Sequence, residues 1–221
     1  MNITTKSDLI EDDDIGDILT DIAGKDLSTT LGLDEMLLMD DLKRRKLYMC
    51  DDIDPLSVQE IVHHILQYNA DDKDIPVEDR APIYLYIMSN GGDLMSGMGL
   101  VDVILQSKTP VYTINIGYWY SMALLIGLAG HKRFATQNSS VLLHDGSNFA
   151  YGSATKLQDR MQFLSRFEDR CRQYTLDRTN ITPEEFDEKA RVEWYMFADE
   201  AKEKGIIDSI VGIDCTMDEI V

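Results

Sequence analysis

The chain has 221 residues with a formal net charge of −19, and apolar residues make up 44% of the sequence. This apolar content can form a core and excludes a globally disordered chain, while the excess of acids argues against binding to nucleic-acid phosphates or anionic lipid. Three well-separated cysteines, no signal-peptide pattern and no apolar run of membrane-spanning length lead us to expect a cytoplasmic protein without disulfides.

Acidic residues are concentrated at the start of the chain. Residues 1–42 contain twelve acids against Lys6 and Lys25, which is more than half of the net negative charge. This composition predicts a solvated, partly disordered arm over residues 1–44. Apolar residues between the acids, such as Leu9 and Ile18, leave open a second interpretation as a docking or gating segment.

Strands and helices alternate along the rest of the chain, residues 45–221, which we expect to form one domain. A short strand follows the basic "KRRK", and Asp54 with Pro55 in front of periodic apolar residues predicts the start of a helix. A buried strand is predicted over residues 82–89, with a glycine turn and a helix after it. The next strand, "PVYTINIG", is predicted to end at Gly117.

The second half of the chain continues the alternation. Residues 132–146 predict two short strands around an Asn-Ser turn, and apolar spacing over residues 154–178 predicts a long amphipathic helix. Thr182 caps a further helix, a short helix ends at Gly205, and "IIDSIV" is a terminal strand. The whole pattern indicates an α/β fold with a mostly parallel sheet.

Loops that follow strands are where α/β proteins place ligands and nucleophiles. In the first such loop, "SNGGDL", Gly91 and Gly92 let backbone amides approach a ligand at a helix N-terminus, although a plain tight turn would look the same. The loop lacks the Lys-Ser/Thr of a phosphate-binding loop, and Asp93 would repel a phosphate.

The second loop carries Ser121, immediately before an apolar segment. A serine at a helix start is most often an N-cap, and the surrounding residues do not form a GxSxG motif. The adjacent His63 and His64 diverge on a helix and suit neither one site nor a metal, and His131 lies in a charged turn. His144, at the end of a strand, is the best candidate for a base; a structural histidine is the alternative.

These blocks, in this order, resemble the proteolytic subunit of the Clp protease. The resemblance rests on the glycine pair after "LYIMS", G-x-x-x-S-M-A after a strand, "KRFATQNSSVLLH", the long helix and "ADEAKEKGIIDSIV", and it covers about residues 45–213. It implies a ClpP/crotonase-like fold of repeated β-β-α units. It also implies that helix 154–178 is a protruding handle that joins two rings.

The resemblance assigns roles to particular residues. It implies that Ser121 is the nucleophile and His144 its general base, and that the backbone amides of Gly92 and Met122 form the oxyanion hole. It implies neither a cofactor nor a metal.

The sequence departs from the family at three places. In the family, an aspartate is the third member of the catalytic triad, after the serine and the histidine. Glu193 stands at that position here, and Asp187 is the alternative. Trp119 and Tyr120 replace the small residues usual before the serine, and would narrow the substrate pocket or change the packing beside it. The acidic arm does not resemble the family's usual N-terminus.

The function implied is that of a serine endopeptidase subunit. Such subunits stack into rings, here expected to be heptameric, and degrade unfolded polypeptides delivered by an AAA+ unfoldase. A catalytically weak or silent ring subunit is the main alternative, motivated by Glu193 and the bulky neighbours of Ser121. A crotonase-type acyl-CoA enzyme shares the fold, but the acidic chain and the serine-histidine pair disfavour it. A phage-type head-maturation protease would be a biological variant of the first interpretation.

Overall fold

The computed structural model describes residues 32–145 and 153–221. The chain divides into two units, of which the second begins at Arg45 and extends to Val221. The acidic residues 1–31, which carry most of the predicted arm, lie outside the described residues.

The described part of the first unit is helix α1 (Leu33–Lys43). Its first turn is capped by the Glu35 side chain, which accepts a hydrogen bond from the Gly32 N–H at 2.7 Å. None of the residues of α1 is buried.

The second unit is built on a seven-stranded sheet within the described residues. Its strands are β1 (Lys46–Met49), β2 (Ile83–Ser89), β3 (Val111–Tyr120), β4 (Lys132–Ala135), β5 (Ser140–Leu143), β6 (Trp194–Phe197) and β7 (Ser209–Ile210). The order is β1-β2-β3-β4-β7, while β5 pairs with the second half of β3, and β6 pairs with β5. All pairs are parallel except β5–β6, which confirms the predicted α/β fold with a mostly parallel sheet.

Six helices accompany this sheet in the described residues. They are α2 (Pro55–Asp71), α3 (Leu94–Gln106), α4 (Met122–Leu128), α5 (Ala154–Arg178), α6 (Pro183–Lys189) and α7 (Ala198–Glu203). Asp54 caps α2 by accepting hydrogen bonds from two backbone N–H groups, and Thr182 caps α6 in the same way from one, as predicted. The long helix α5 has the predicted bounds. None of the described helices has the length and apolarity needed to cross a membrane.

Strand β3 is longer than predicted. The prediction that it ends at Gly117 is wrong, because β3 continues to Tyr120 and pairs there with β5. Gly117 does not break the strand; a Cβ at this position would lie 2.9 Å from the Met88 sulfur, so glycine makes room for a neighbouring side chain. The side chain of Trp119 is fully buried and packs on Gly127, where a Cβ would lie 2.3 Å from the indole ring.

A buried ion pair anchors the start of the second unit. Arg45 donates two hydrogen bonds of 2.6 Å to the Asp72 carboxylate, and the Thr109 hydroxyl donates a third of 2.9 Å. The hydrogen bonds from Arg45 hold the pKa of Asp72 below its usual range. This carboxylate therefore stays ionised although it is only 1% exposed.

Candidate active site

Ser121 occupies the sharp turn between β3 and α4. Its φ is 55° and its ψ is −122°, a conformation that costs a residue with a side chain on the order of 1–3 kcal/mol. Its N–H donates to the Leu142 carbonyl at 3.1 Å, so the end of β5 fixes this turn. The serine is at the N-cap position of α4, yet its side chain makes no capping hydrogen bond. A strained strand-to-helix turn with an uncommitted hydroxyl is typical of a nucleophile.

Helix α4 holds this turn in place from behind. Every residue from Met122 to Leu128 is buried. Because a close-packed interior resists displacement, the first backbone amide of the helix has a fixed direction next to Ser121.

The glycine pair lies directly beside the serine. A Cβ on Gly91 would be 2.8 Å from the Cβ of Ser121, so this loop and the turn touch. Ile53 clamps the loop from its other side: the Ile53 N–H donates to the Gly91 carbonyl at 2.8 Å, and the Asp93 N–H donates to the Ile53 carbonyl at 2.7 Å. Gly92 has a φ of 150°, and a Cβ there would lie 2.2 Å from the Ile53 carbonyl oxygen. Only glycine fits this position.

Two backbone amides next to the serine remain free. Within the described part of the chain, the N–H groups of Gly92 and Met122 have no hydrogen-bond acceptor. Both residues line one cavity of about 640 Å³ together with Ser121 and His144. Unpaired amides at such a place can bind an oxygen that carries negative charge.

His144 follows strand β5, two residues after the carbonyl that binds Ser121. Its Nε2 is buried, and no described residue accepts from it or donates to it. A buried ring nitrogen without a partner is costly, which suits a group whose partner is a substrate or a reacting hydroxyl. The structure thus brings together Ser121, His144 and the two amides that the sequence singled out.

Glu193 and His144 lie at the same end of the β5–β6 pairing. The last antiparallel pair of these two strands is Leu143 with Trp194; His144 directly follows β5, and Glu193 directly precedes β6. The described contacts of the Glu193 carboxylate are not with the imidazole, however; its Oε2 accepts a hydrogen bond of 3.0 Å from the Tyr195 hydroxyl.

The alternative acid, Asp187, is engaged elsewhere. Arg172 donates to both of its carboxylate oxygens, at 2.7 and 2.8 Å, and these hydrogen bonds lower the pKa of Asp187. Arg172 itself lines the cavity.

The sequence interpretation missed two other residues that line the cavity. Tyr195, in β6, was not singled out; its signal in the sequence is its position two residues after Glu193. Cys171 also lines the cavity, but burial raises the pKa of its thiol to about 11. A thiol so rarely ionised is a poor nucleophile at neutral pH.

The two bulky residues before the serine have different positions. Trp119 is in the core, whereas Tyr120 lines the cavity. The interpretation that a bulky residue narrows the substrate pocket fits Tyr120, which forms part of the cavity wall. The interpretation that a bulky residue changes the packing fits Trp119.

Comparison with known proteins gives a consistent result. The sequence model of the Clp protease family matches residues 34–214. A relative named ATP-dependent Clp protease proteolytic subunit 2, from Tropheryma whipplei (strain Twist), is 33% identical over 171 residues, which cover 76% of this chain and 92% of that protein.

Proposed function

The chain belongs to the Clp protease family and is a serine-type peptidase, and on this premise we propose that Ser121, His144 and Glu193 are its catalytic triad. The observation that carries the proposal is the strained, uncapped Ser121 in one cavity with the unpartnered Nε2 of His144.

The proposed reaction has two steps. The Ser121 Oγ attacks the scissile carbonyl while His144 takes the hydroxyl proton, and the amides of Gly92 and Met122 bind the oxyanion. His144 then gives this proton to the leaving amine, and the acyl-enzyme forms. In the second step His144 takes a proton from water, whose oxygen attacks the acyl carbon. The bond from the acyl carbon to the Ser121 Oγ then breaks, His144 returns the proton to that oxygen, and the peptide is released.

Glu193 has the role of orienting the imidazole. A carboxylate opposite His144 stabilises the imidazolium that forms in each step. Both residues lie at the same end of the β5–β6 pairing, which supports this assignment, and the glutamate reaches one methylene farther than an aspartate would. Asp187, bound by Arg172, is less suited to it.

The proposed substrates are unfolded polypeptides, cut with broad specificity. Apolar and aromatic side chains in the cavity wall, among them Leu125, Leu142 and Tyr120, suit peptide side chains of many kinds. The name of the bacterial relative supports a partnership with an ATPase, for which we propose an AAA+ unfoldase of the Clp type.

We also propose that the subunits stack as heptameric rings in the cytoplasm. Helix α5 would join two rings, and its exposed Met161 and Phe163 offer apolar surface for that contact. The three free cysteines suit a reducing compartment.

A fluorophosphonate, which forms a stable bond with activated serines, tests the proposal. The purified assembly is treated and its peptides are analysed by mass spectrometry. We expect one adduct, on Ser121, and no adduct in His144→Ala. We also expect that Ser121→Ala loses peptide hydrolysis. An intact wild-type assembly without an adduct would contradict the proposal and favour a silent ring subunit.

A further inference from the structure

We propose that Tyr195 is a positioning residue whose phenol holds the Glu193 carboxylate opposite His144, which adapts the site to a glutamate in the acid position. This inference rests on the triad proposed above. It concerns how the third member is held, and it assigns a role to a residue that the triad itself does not include.

The first observation is the hydrogen bond itself. The Tyr195 hydroxyl donates to Oε2 of Glu193 at 3.0 Å. This bond uses one of the two carboxylate oxygens and leaves Oε1 available to a second donor. The neighbouring carboxylate raises the pKa of Tyr195, so the phenol stays protonated as a donor.

The second observation is where these side chains lie. Glu193 directly precedes β6 and His144 directly follows β5, at the end of the pairing where Leu143 lies beside Trp194. Tyr195 and His144 both line the same cavity. The acid therefore has the phenol two residues away on its own chain and the imidazole at the same end of the neighbouring strand.

The third observation is that the phenol ring is itself held. Tyr195 packs edge-on against Tyr120, with ring centroids 5.5 Å apart. The Tyr120 hydroxyl is hydrogen-bonded with the Ser140 hydroxyl at 3.0 Å, and Tyr118 packs on Tyr120 at 5.0 Å. An aromatic side chain with two rotatable bonds, fixed in such a row, is a stiff donor.

The hydrogen bond from Tyr195 restricts a glutamate more usefully than it would restrict an aspartate. The extra methylene of glutamate adds a rotatable bond, so a glutamate exposed to solvent loses more conformational freedom when it points at one partner. A second hydrogen bond restricts the carboxylate before the imidazole becomes charged. Preorganisation of this kind lowers the barrier of the step in which charge develops.

Tyr195→Phe is the test, because it removes the hydroxyl and keeps the ring against Tyr120. With a fluorogenic peptide, we expect kcat to fall about fivefold with KM within about twofold, since the lost bond acts on orientation and not on substrate binding. Tyr118→Phe is the matched control. It removes a phenol oxygen from the same aromatic row and should leave both constants unchanged.

A double-mutant cycle separates positioning from general effects on the structure. In a Glu193→Ala background, Tyr195→Phe should have no further effect on kcat, because the carboxylate it holds is gone. An equal loss in both backgrounds would overturn the inference. So would an unchanged kcat in Tyr195→Phe, or an increase, which would mean that the bond holds the acid away from the histidine.

Failure of the inference can be told from failure of the triad. If only the inference is wrong, fluorophosphonate labels Ser121, Glu193→Ala is slow, and Tyr195→Phe behaves as wild type. If the triad is wrong, Ser121 is not labelled or Glu193→Ala keeps full activity, and the inference falls with it. Unfolding midpoints and assembly size are measured for each variant, so that a folding defect is not mistaken for either result.

Discussion

Replacing Gly92 by alanine tests whether the glycine loop is a rigid part of the oxyanion hole. The new Cβ would lie 2.2 Å from the Ile53 carbonyl oxygen and 2.8 Å from the Ile53 nitrogen. The loop and Ile53 must then separate by about 1 Å to reach normal contact. The φ of 150° is also unfavourable for alanine.

Two costs follow from this geometry. Overpacking costs about 1–3 kcal/mol and the strained φ a further 1–3 kcal/mol, so we expect the free energy of unfolding to fall by about 2–6 kcal/mol. The amide of Gly92 moves with the loop, and displacing an oxyanion donor by about 1 Å lowers kcat on the order of 100-fold. Urea unfolding and peptide hydrolysis measure the two effects separately.

Gly99→Ala is the matched control. Gly99 lies within α3, and a Cβ there meets no atom within 4 Å. Alanine should stabilise this helix by about 0.5–1 kcal/mol and leave kcat unchanged. If Gly92→Ala loses stability but keeps full kcat, the amide is not part of the oxyanion hole. If Gly92→Ala keeps both its stability and its kcat, the contact of Ile53 with the loop is not rigid, and the amide is not part of the oxyanion hole.

Three further predictions concern other groups. Glu193→Gln should lower kcat severely whereas Glu193→Asp should be tolerated, and an unaffected Gln variant would move the third role to another residue. Asp72→Asn should lower the free energy of unfolding by about 2 kcal/mol at neutral pH, since Arg45 loses its charged partner. Because the pKa of Asp72 is lowered in the folded protein, its contribution is complete above about pH 4 and is lost as the pH falls further; a wild-type advantage that vanished at higher pH would contradict this. Cys171, whose pKa burial raises to about 11, should resist iodoacetamide at pH 8 under conditions that leave Ser121 reactive towards fluorophosphonate; rapid modification of this thiol, detected by mass spectrometry, would show that its pKa is not raised.

The helices and strands were predictable because local chemistry determines them. Asp54 with Pro55, and Thr182 with Pro183, are helix starts in the sequence and in the structure. The end of β3 was not predictable. Gly117 is usually a breaker in such a run, and its tolerance depends on the Met88 side chain of the neighbouring strand.

The candidate site was predictable as a set of residues but not as an arrangement. Order along the chain suggested Ser121 and His144. The positive φ of Ser121 and the bond from Tyr195 to Glu193 depend on how strands from distant parts of the chain are aligned. Likewise, the pairing of Asp187 with Arg172 is set by the packing of α5 and α6, which no short motif contains.

The alignment of β5 with β6 has a consequence for how this site can change. Because side chains alternate between faces, shifting β6 by one residue against β5 would place Trp194 or Met196 opposite Leu142 and turn the Tyr195 phenol, which binds Glu193, to the other face. A change of side-chain length at position 193 lies outside β6 and leaves this pairing as it is. Substitution at this position is therefore a gradual change, while insertion of a single residue within β6 removes the phenol from the acid at once.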